Sequence, residues 1–236
     1  MSLHRRCALL AAVVLVTLAP AACGNDDDGG SAIGASDATE LVGVFSITPG
    51  ACGDGGATGS YFRMVQPGGT NEAGPFVANG DVPCPDKTWT LLSPGGDGGL
   101  RTGAYQTQPE PPFDAGGNAL GSSITEPQRW FAVAFGLATN ERDPQTGEAA
   151  GRPTIERVGR TLRGDLSALG AAWNGQHFNQ GAPKPGGERP GHTTGPTGTF
   201  DPDTGAYTLD WSSEIAGGPF NGFTGIWHLE GTFEPR

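Results

Sequence analysis

Asp210, His228 and Glu230 lie in two stretches of strict apolar alternation near the C-terminus. Pairing those stretches as a hairpin sets Asp210 opposite His228, with Glu230 two residues further on the same face. An imidazole beside two carboxylates has the parts of a general acid–base pair, or of a cation site. On a solvated sheet face the same residues are ordinary cross-strand polar partners. A catalytic metal takes about three protein ligands; only one His is placed here, so the cluster reads as polar surface and no metal is assigned.

A second concentration of functional side chains is Trp173-Asn-Gly-Gln-His-Phe-Asn-Gln-Gly181. Amides and an imidazole beside an indole suit carbohydrate, because Asn and Gln match hydroxyl groups and a Trp face stacks on a sugar ring. Trp173, Asn174, Gln176, His177 and Asn179 are therefore the candidate ligand-binding residues. The alternative has Trp173 in the core, Asn174-Gly175 in a tight turn and Asn179 satisfying loop backbone. His192 falls in a Pro/Gly loop and reads as solvated. No Gly-x-Ser-x-Gly elbow, His-Glu-x-x-His pair, phosphate-binding Gly loop or dinucleotide fingerprint is present, so no catalytic residue and no cofactor is assigned. Asp165, Asp210, Glu214 and Glu230 are the carboxylates that a hydrolase of envelope polysaccharide or lipid would draw on.

The elements that must position these residues are strands. Leu41–Ile47, Ser60–Val65 and Thr88–Leu92 are short β-type runs bounded by Gly and Pro. Trp130–Leu137 reads as one central strand, with Phe131, Val133, Phe135 and Leu137 on one face and Trp130 on the other. Between Ser93 and Gly121 there are few apolar anchors, which predicts a long surface loop. Asp143-Pro-Gln-Thr-Gly147 and Asp201-Pro-Asp-Thr-Gly205 repeat one turn pattern, with Asp accepting from backbone and Gly taking a positive φ. At the C-terminus, Tyr207, Leu209, Trp211 and Ile215 alternate with polar residues, as do Phe223, Trp227, Leu229 and Phe233. Facing Ile215 with Phe223 puts Trp211 opposite Trp227 and Leu209 opposite Leu229; a slip of one residue would send both indoles into solvent.

Forty-one glycines and twenty prolines in 236 residues bring the chain near a disordered composition, but five Trp and the alternating runs require a packed core. The expected fold is all-β, an antiparallel β-sandwich or closed β-barrel with long Gly/Pro-rich loops. A net charge of −11 excludes nucleic acid as a partner.

The first residues carry Arg5-Arg6, an apolar run from Ala8 to Leu18, and Pro20-Ala21-Ala22-Cys23. The run is shorter than the ~20 apolar residues that span a bilayer, and the pattern is that of an export signal. Cys23 after two alanines resembles a bacterial lipobox, with Pro20 where most lipoboxes have Leu. The resemblance implies removal of residues 1–22, a diacylglycerol on the Cys23 thiol, a flexible tether over 23–38 and one β-rich domain over 39–236. The chain would then sit at the outer face of the cytoplasmic membrane, its membrane contact made by the lipid; plain secretion is the alternative. With Cys7 removed and Cys23 lipidated, Cys52 and Cys84 remain, and an even pair in an exported protein reads as a disulfide.

Trp173–Gly181 together with Trp211–Gly231 resembles a recurring C-terminal region of exported bacterial proteins, and the resemblance implies a secreted β-rich domain. The sequence thus describes a non-enzymatic envelope lipoprotein with a binding or interaction role toward an envelope glycan, lipid or protein. The alternatives are the hydrolase above and a structural protein without a small ligand.

Overall fold

Short apolar runs punctuated by Gly and Pro fold as strands because a half-buried pleated surface is where such runs hide one face. The computed structural model describes residues 38–236, which fall in a single compact unit. The expected export signal, Cys23 and all but the last residue of the expected tether lie outside the described residues. The N-terminal strands are β1 (Thr39–Glu40), β2 (Gly43–Ser46), β3 (Ala51–Gly53), β4 (Gly56–Thr58), β5 (Tyr61–Thr70), β6 (Gly74–Phe76), β7 (Thr90–Leu91) and β8 (Gly99–Arg101). Next come β9 (Gln128–Trp130), β10 (Val133–Thr139), β11 (Thr154–Val158), β12 (Thr161–Asp165), β13 (Leu169–Trp173) and β14 (Gln176–Asn179). The chain ends with β15 (Thr194–Phe200), β16 (Ala206–Glu214) and β17 (Thr224–Pro235).

Eleven of these strands make one antiparallel sheet that curls into a half-barrel: eight run in the order β1-β11-β12-β15-β16-β17-β2-β8, and β5, with β6 and β7 paired to it, branches from β17. Strand β17 is its axis. One edge pairs with β16 along most of its length; the other is shared, residues 224–228 pairing with β5 and 233–235 with β2. A four-stranded sheet, β14-β13-β10-β9, packs against the half-barrel, and β3-β4 form a separate hairpin. The fold is all-β, as the alternation required. Among the described residues no helix is long and apolar enough to cross a membrane.

The C-terminal register is the expected one: Leu209 pairs with Leu229, Asp210 with His228 and Trp211 with Trp227. The two indoles stack at 5.9 Å with planes 10° apart, and both are buried. Phe62 of β5 lies against Trp227 at 4.3 Å, and Trp130 and Phe135 of the second sheet close on Phe62. One aromatic core thus joins the two sheets. The repeated Asp-Pro-x-Thr-Gly segments turn alike, each Gly taking a positive φ and donating its N–H to the Asp carbonyl, Gly147 to Asp143 and Gly205 to Asp201.

Two expectations are corrected. Trp130–Leu137 is not one strand: Phe131 and Ala132 take φ values of 49° and 65° and form a two-residue turn between β9 and β10. The reversal pairs Trp130 with Val133, so Trp130 shares the face of Phe135 and Leu137 instead of opposing it, and Phe131 stands half-exposed at the tip. Alternation continues through a two-residue turn, and Phe-Ala lacks the Asn-Gly signature that announces one. The segment Ser93–Gly121 is long and irregular, but it is pinned rather than loose. It contains β8, whose Leu100 is buried against β2, and Gln106, whose side chain bonds Gly99 O and the Arg101 N–H.

Cys52 and Cys84 are joined, their Cα atoms 5.3 Å apart. The bridge fastens the exposed β3 strand to a thiol buried in the body of the domain. Disulfides of this kind form in oxidising, extracytoplasmic compartments.

Candidate functional site

The β13–β14 hairpin carries the amide-rich segment. Asn174 and Gly175 turn it with φ of 49° and 70°, a two-residue connection whose left-handed geometry Asn and Gly tolerate. The register pairs Trp173 with Gln176 and puts His177 on the face of Asn179, so packing around the hairpin, and not alternation along it, divides the five candidates. Trp173 points inward: its indole N–H donates to Trp130 O at 2.8 Å, and its ring packs on Phe220 at 5.4 Å. Asn179 is buried and fully used by loop backbone, its amide donating to Ser167 O and accepting from the Gly181 N–H. Neither presents a surface to a sugar. Gln176, His177 and the turn at Asn174 remain at the surface.

Gln176 and His177 line a surface cleft of about 280 Å³ with Pro144, Gln145, Gly175, Phe178 and Gly218. Three connections meet there: the β13–β14 turn, the Asp143–Gly147 turn and the loop between β16 and β17. The Asp143 turn is fixed because its buried carboxylate accepts from the Thr146 hydroxyl at 2.8 Å. Gln145 ties the three together, accepting from the Asn179 N–H at 2.6 Å and donating to Ala216 O. His177 lies against Phe113 at 5.1 Å, and burial holds its pKa below the ordinary value despite the opposing charge of Asp143. At neutral pH the ring is uncharged and offers both a donor and an acceptor.

Asp210, His228 and Glu230 come together as the register requires, on the outer face. His228 Nδ1 is 2.7 Å from Asp210 Oδ1 and Nε2 is 3.5 Å from Glu230 Oε2. Tyr61 of β5 stacks on the imidazole at 4.8 Å, Trp89 meets Tyr61 edge-on at 4.7 Å, and the Arg63 guanidinium lies between the Trp89 and Phe76 rings. Burial lowers the His228 pKa, but the hydrogen bond and charge of Asp210, reinforced by Glu230, outweigh it and leave the pKa raised. Whenever it is protonated, this imidazole, with a carboxylate at each nitrogen, has no free lone pair for a metal or for proton abstraction. Among the described residues no group of three His, Cys, Asp or Glu side chains is arranged to hold a metal ion.

Three residues that sequence reasoning passed over organise the space beneath the cleft. Gln180 is buried between the sheets: its backbone carbonyl accepts from Trp211 Nε1 and its side-chain oxygen from Trp227 Nε1, each at 3.0 Å. Lys184 reaches inward to donate to Asn179 O at 2.9 Å and Ser213 Oγ at 2.6 Å. Ser213 and Lys184 have the composition of a nucleophile and its base. However, Ser213 is fully buried and its own proton goes to Gly181 O, so the pair holds the 179–184 segment to β16. Only the density of amides in 174–180 hinted at any of this, and nothing in it marks Gln180 as the buried one.

Burial pulls the Lys184 pKa from 10.5 down to about 8, against the attraction of Asp143 and Glu214. Below pH 8 the folded and unfolded chains both bind that proton, and the fold carries the full cost of a buried charge. Between about 8 and 10.5 the unfolded chain holds the proton more often than the folded one, so stability must rise with pH there. The urea midpoint of the wild type is expected to climb from pH 8 towards pH 10, and Lys184→Met should remove that slope. A variant whose pH profile superimposes on the wild type would contradict this assignment.

No protein-family model, curated protein or solved structure matches the chain. The reading of the site therefore rests on its own geometry.

Proposed function

We propose that this chain is an exported lipoprotein, anchored through Cys23, whose β domain is a binding module of the cell envelope, and that the cleft between the β13–β14 turn and the loops beside it takes a glycan. The observation that carries this reading is the cleft itself. It offers the Gln176 amide and the uncharged His177 imidazole at its rim, with the apolar Phe178 ring beneath. Neutral donors and acceptors beside an apolar surface fit a polyhydroxylated, uncharged ligand better than an ion. The Cys52–Cys84 disulfide supports an extracytoplasmic location, and the export signal and lipobox-like Cys23 support the anchor. The geometry favours binding over hydrolysis because the one outward His beside two carboxylates is clamped between them.

The test is thermal denaturation of the mature chain with soluble fragments of envelope glycan. A ligand at about a hundred times its dissociation constant adds roughly 2.7 kcal/mol, enough to raise the melting point by several degrees. Gln176→Ala with His177→Ala should abolish that rise while leaving the unliganded melting point in place. A rise that survives both substitutions would move the site elsewhere, and stabilisation by lipid or by divalent metal alone would refute the glycan reading. The anchor is checked separately: cells fed labelled palmitate should label the wild type and not Cys23→Ser.

A further inference from the structure

Behind the cleft, between the two sheets, lies a cavity of about 40 Å³. Its walls are rings: Phe62 from β5, Trp130 and Phe135 from the β9–β10 hairpin, Trp173 and Phe178 from the β13–β14 hairpin, and Trp227 from β17. Gln180 is the one polar side chain in the lining, and its amide is already committed to Trp227 and to Asn179 O. No polar atom faces the space. A water needs two to four partners and fills about 30 Å³ of liquid, so water has room here but too few partners: among the lining side chains only the Trp130 indole N–H is buried without one. Such a void leaves its lining atoms without contacts on one side.

One wall is built differently from the rest. Phe220 sits on a 3-10 turn, Gly218–Phe220, which buries no residue of its own. Glycines with positive φ flank it: Gly217 at 77°, Gly218 at 67° and Gly222 at 81°. The loop is closed at its base by the Gly222 N–H donating to Ile215 O at 2.8 Å; above that base one bond ties it to a neighbour, Gln145 to Ala216 O, and the bonds around Phe220 are internal, Asn221 to Gly218 and Phe223 to Phe220. What holds the Phe220 ring over the cavity is contact with three other rings, Trp173, Phe178 and Phe223. The ring can therefore leave without breaking a strand pair, and the space it vacates joins the cavity as a flat, ring-sized slot.

We propose that this cavity is a binding site for a small, planar, uncharged aromatic molecule, with Phe220 as its door. A guest ring takes the place of the Phe220 ring against Trp173 and Phe178 and fills the void beyond it. Offset and edge-on contact with the surrounding rings favours an aromatic guest over a saturated one of equal area. The lining exposes no polar surface to the space and disfavours a guest with a charge or several unshared hydrogen-bonding groups. This site shares the Phe178 wall with the glycan cleft, and its door stands on the turn whose Gly218 lines that cleft, but the inference does not rest on the glycan reading and its test uses neither Gln176 nor His177.

Toluene is the probe, added to the mature chain in a sealed cell and followed by NMR and by thermal denaturation. The wild type is expected to show intermolecular NOEs from the toluene protons to the Met64 and Ala171 methyl groups, both in the lining, together with a toluene-dependent rise in melting point. Phe220→Ala should bind about tenfold more tightly, the factor recovered if the open door is populated about one part in ten, even though its unliganded melting point falls. Ala171→Met fills the space and should lose toluene binding. Absence of those NOEs in the wild type overturns the proposal. So does toluene binding seen only in Phe220→Ala, since the ring would then be a fixed plug. Binding that persists undiminished in a folded Ala171→Met protein overturns it as well, by placing toluene elsewhere.

Discussion

Trp227→Ala is expected to lower the unfolding free energy by about 3–5 kcal/mol, the range for deleting a buried indole. Trp227 lies where β5, β16 and β17 meet. It stacks on Trp211 at 5.9 Å, packs against Phe62 at 4.3 Å and approaches Phe135 across the gap between the sheets. Its removal opens a hole beside an existing void, in a wall made of rigid rings on strands, which limits collapse into the space. It also strips Gln180 Oε1 of its donor; a buried acceptor left unpaired costs about 1–3 kcal/mol. Trp227→Phe separates the two effects, keeping an aromatic ring while losing the N–H, and should fall between wild type and Trp227→Ala. The measurement is equilibrium urea unfolding followed by circular dichroism. A loss below about 1 kcal/mol, the average for point substitutions generally, would mean that Trp227 is not the centre of the core.

Removing the disulfide with Cys52→Ala and Cys84→Ala together is expected to cost about 3–4 kcal/mol in the chain-entropy account, for a loop closed across 32 residues. The bridge ties down a part of the fold that the main sheets do not pair with. The β3–β4 hairpin is a two-stranded sheet of its own, and β3 is fully exposed. Two strands alone are marginal in water, so local order at Ala51–Thr58 should fall along with global stability, visible as faster amide exchange in the hairpin. Reductant should lower the denaturation midpoint of the wild type and leave that of the double variant where it is. A wild-type midpoint insensitive to full reduction would show that the hairpin is held by packing, chiefly of Trp89 over Gly56.

The C-terminal hairpin was legible to the residue, because both strands bury one face, a slip of one residue would expose two indoles, and the length of the turn sets Ile215 against Phe223. The same logic failed at Trp130–Leu137, where the apolar alternation is real but the chain reverses inside it. A turn of two residues with positive φ is ordinarily written Asn-Gly, as at Asn174-Gly175 in the neighbouring hairpin; Phe131-Ala132 adopts the same geometry without the spelling. The candidate site was half legible. Side-chain chemistry marked 173–181 as a place to look, but Trp173 pairs with Gln176 and His177 shares the face of Asn179, so only the packing of neighbouring segments decided that Trp173 and Asn179 are enclosed while Gln176 and His177 reach the cleft.

By itself, then, the sequence determined what depends on local period and composition: an all-β chain, the pairing of its last two strands, the two Asp-Pro-x-Thr-Gly turns and the pairing of Cys52 with Cys84. Export and a lipid on Cys23 were its further expectations. Only the tertiary structure decided which side chains meet across the core. Gln180 bonds an indole 31 residues away and another 47 away, Lys184 finds a serine 29 residues on, and Phe220 lines a cavity whose walls come from both sheets. Such contacts carry no local spacing to read. They exist because burial of the apolar faces brings distant segments together, and each buried polar group must then be satisfied by whatever partner that packing delivers.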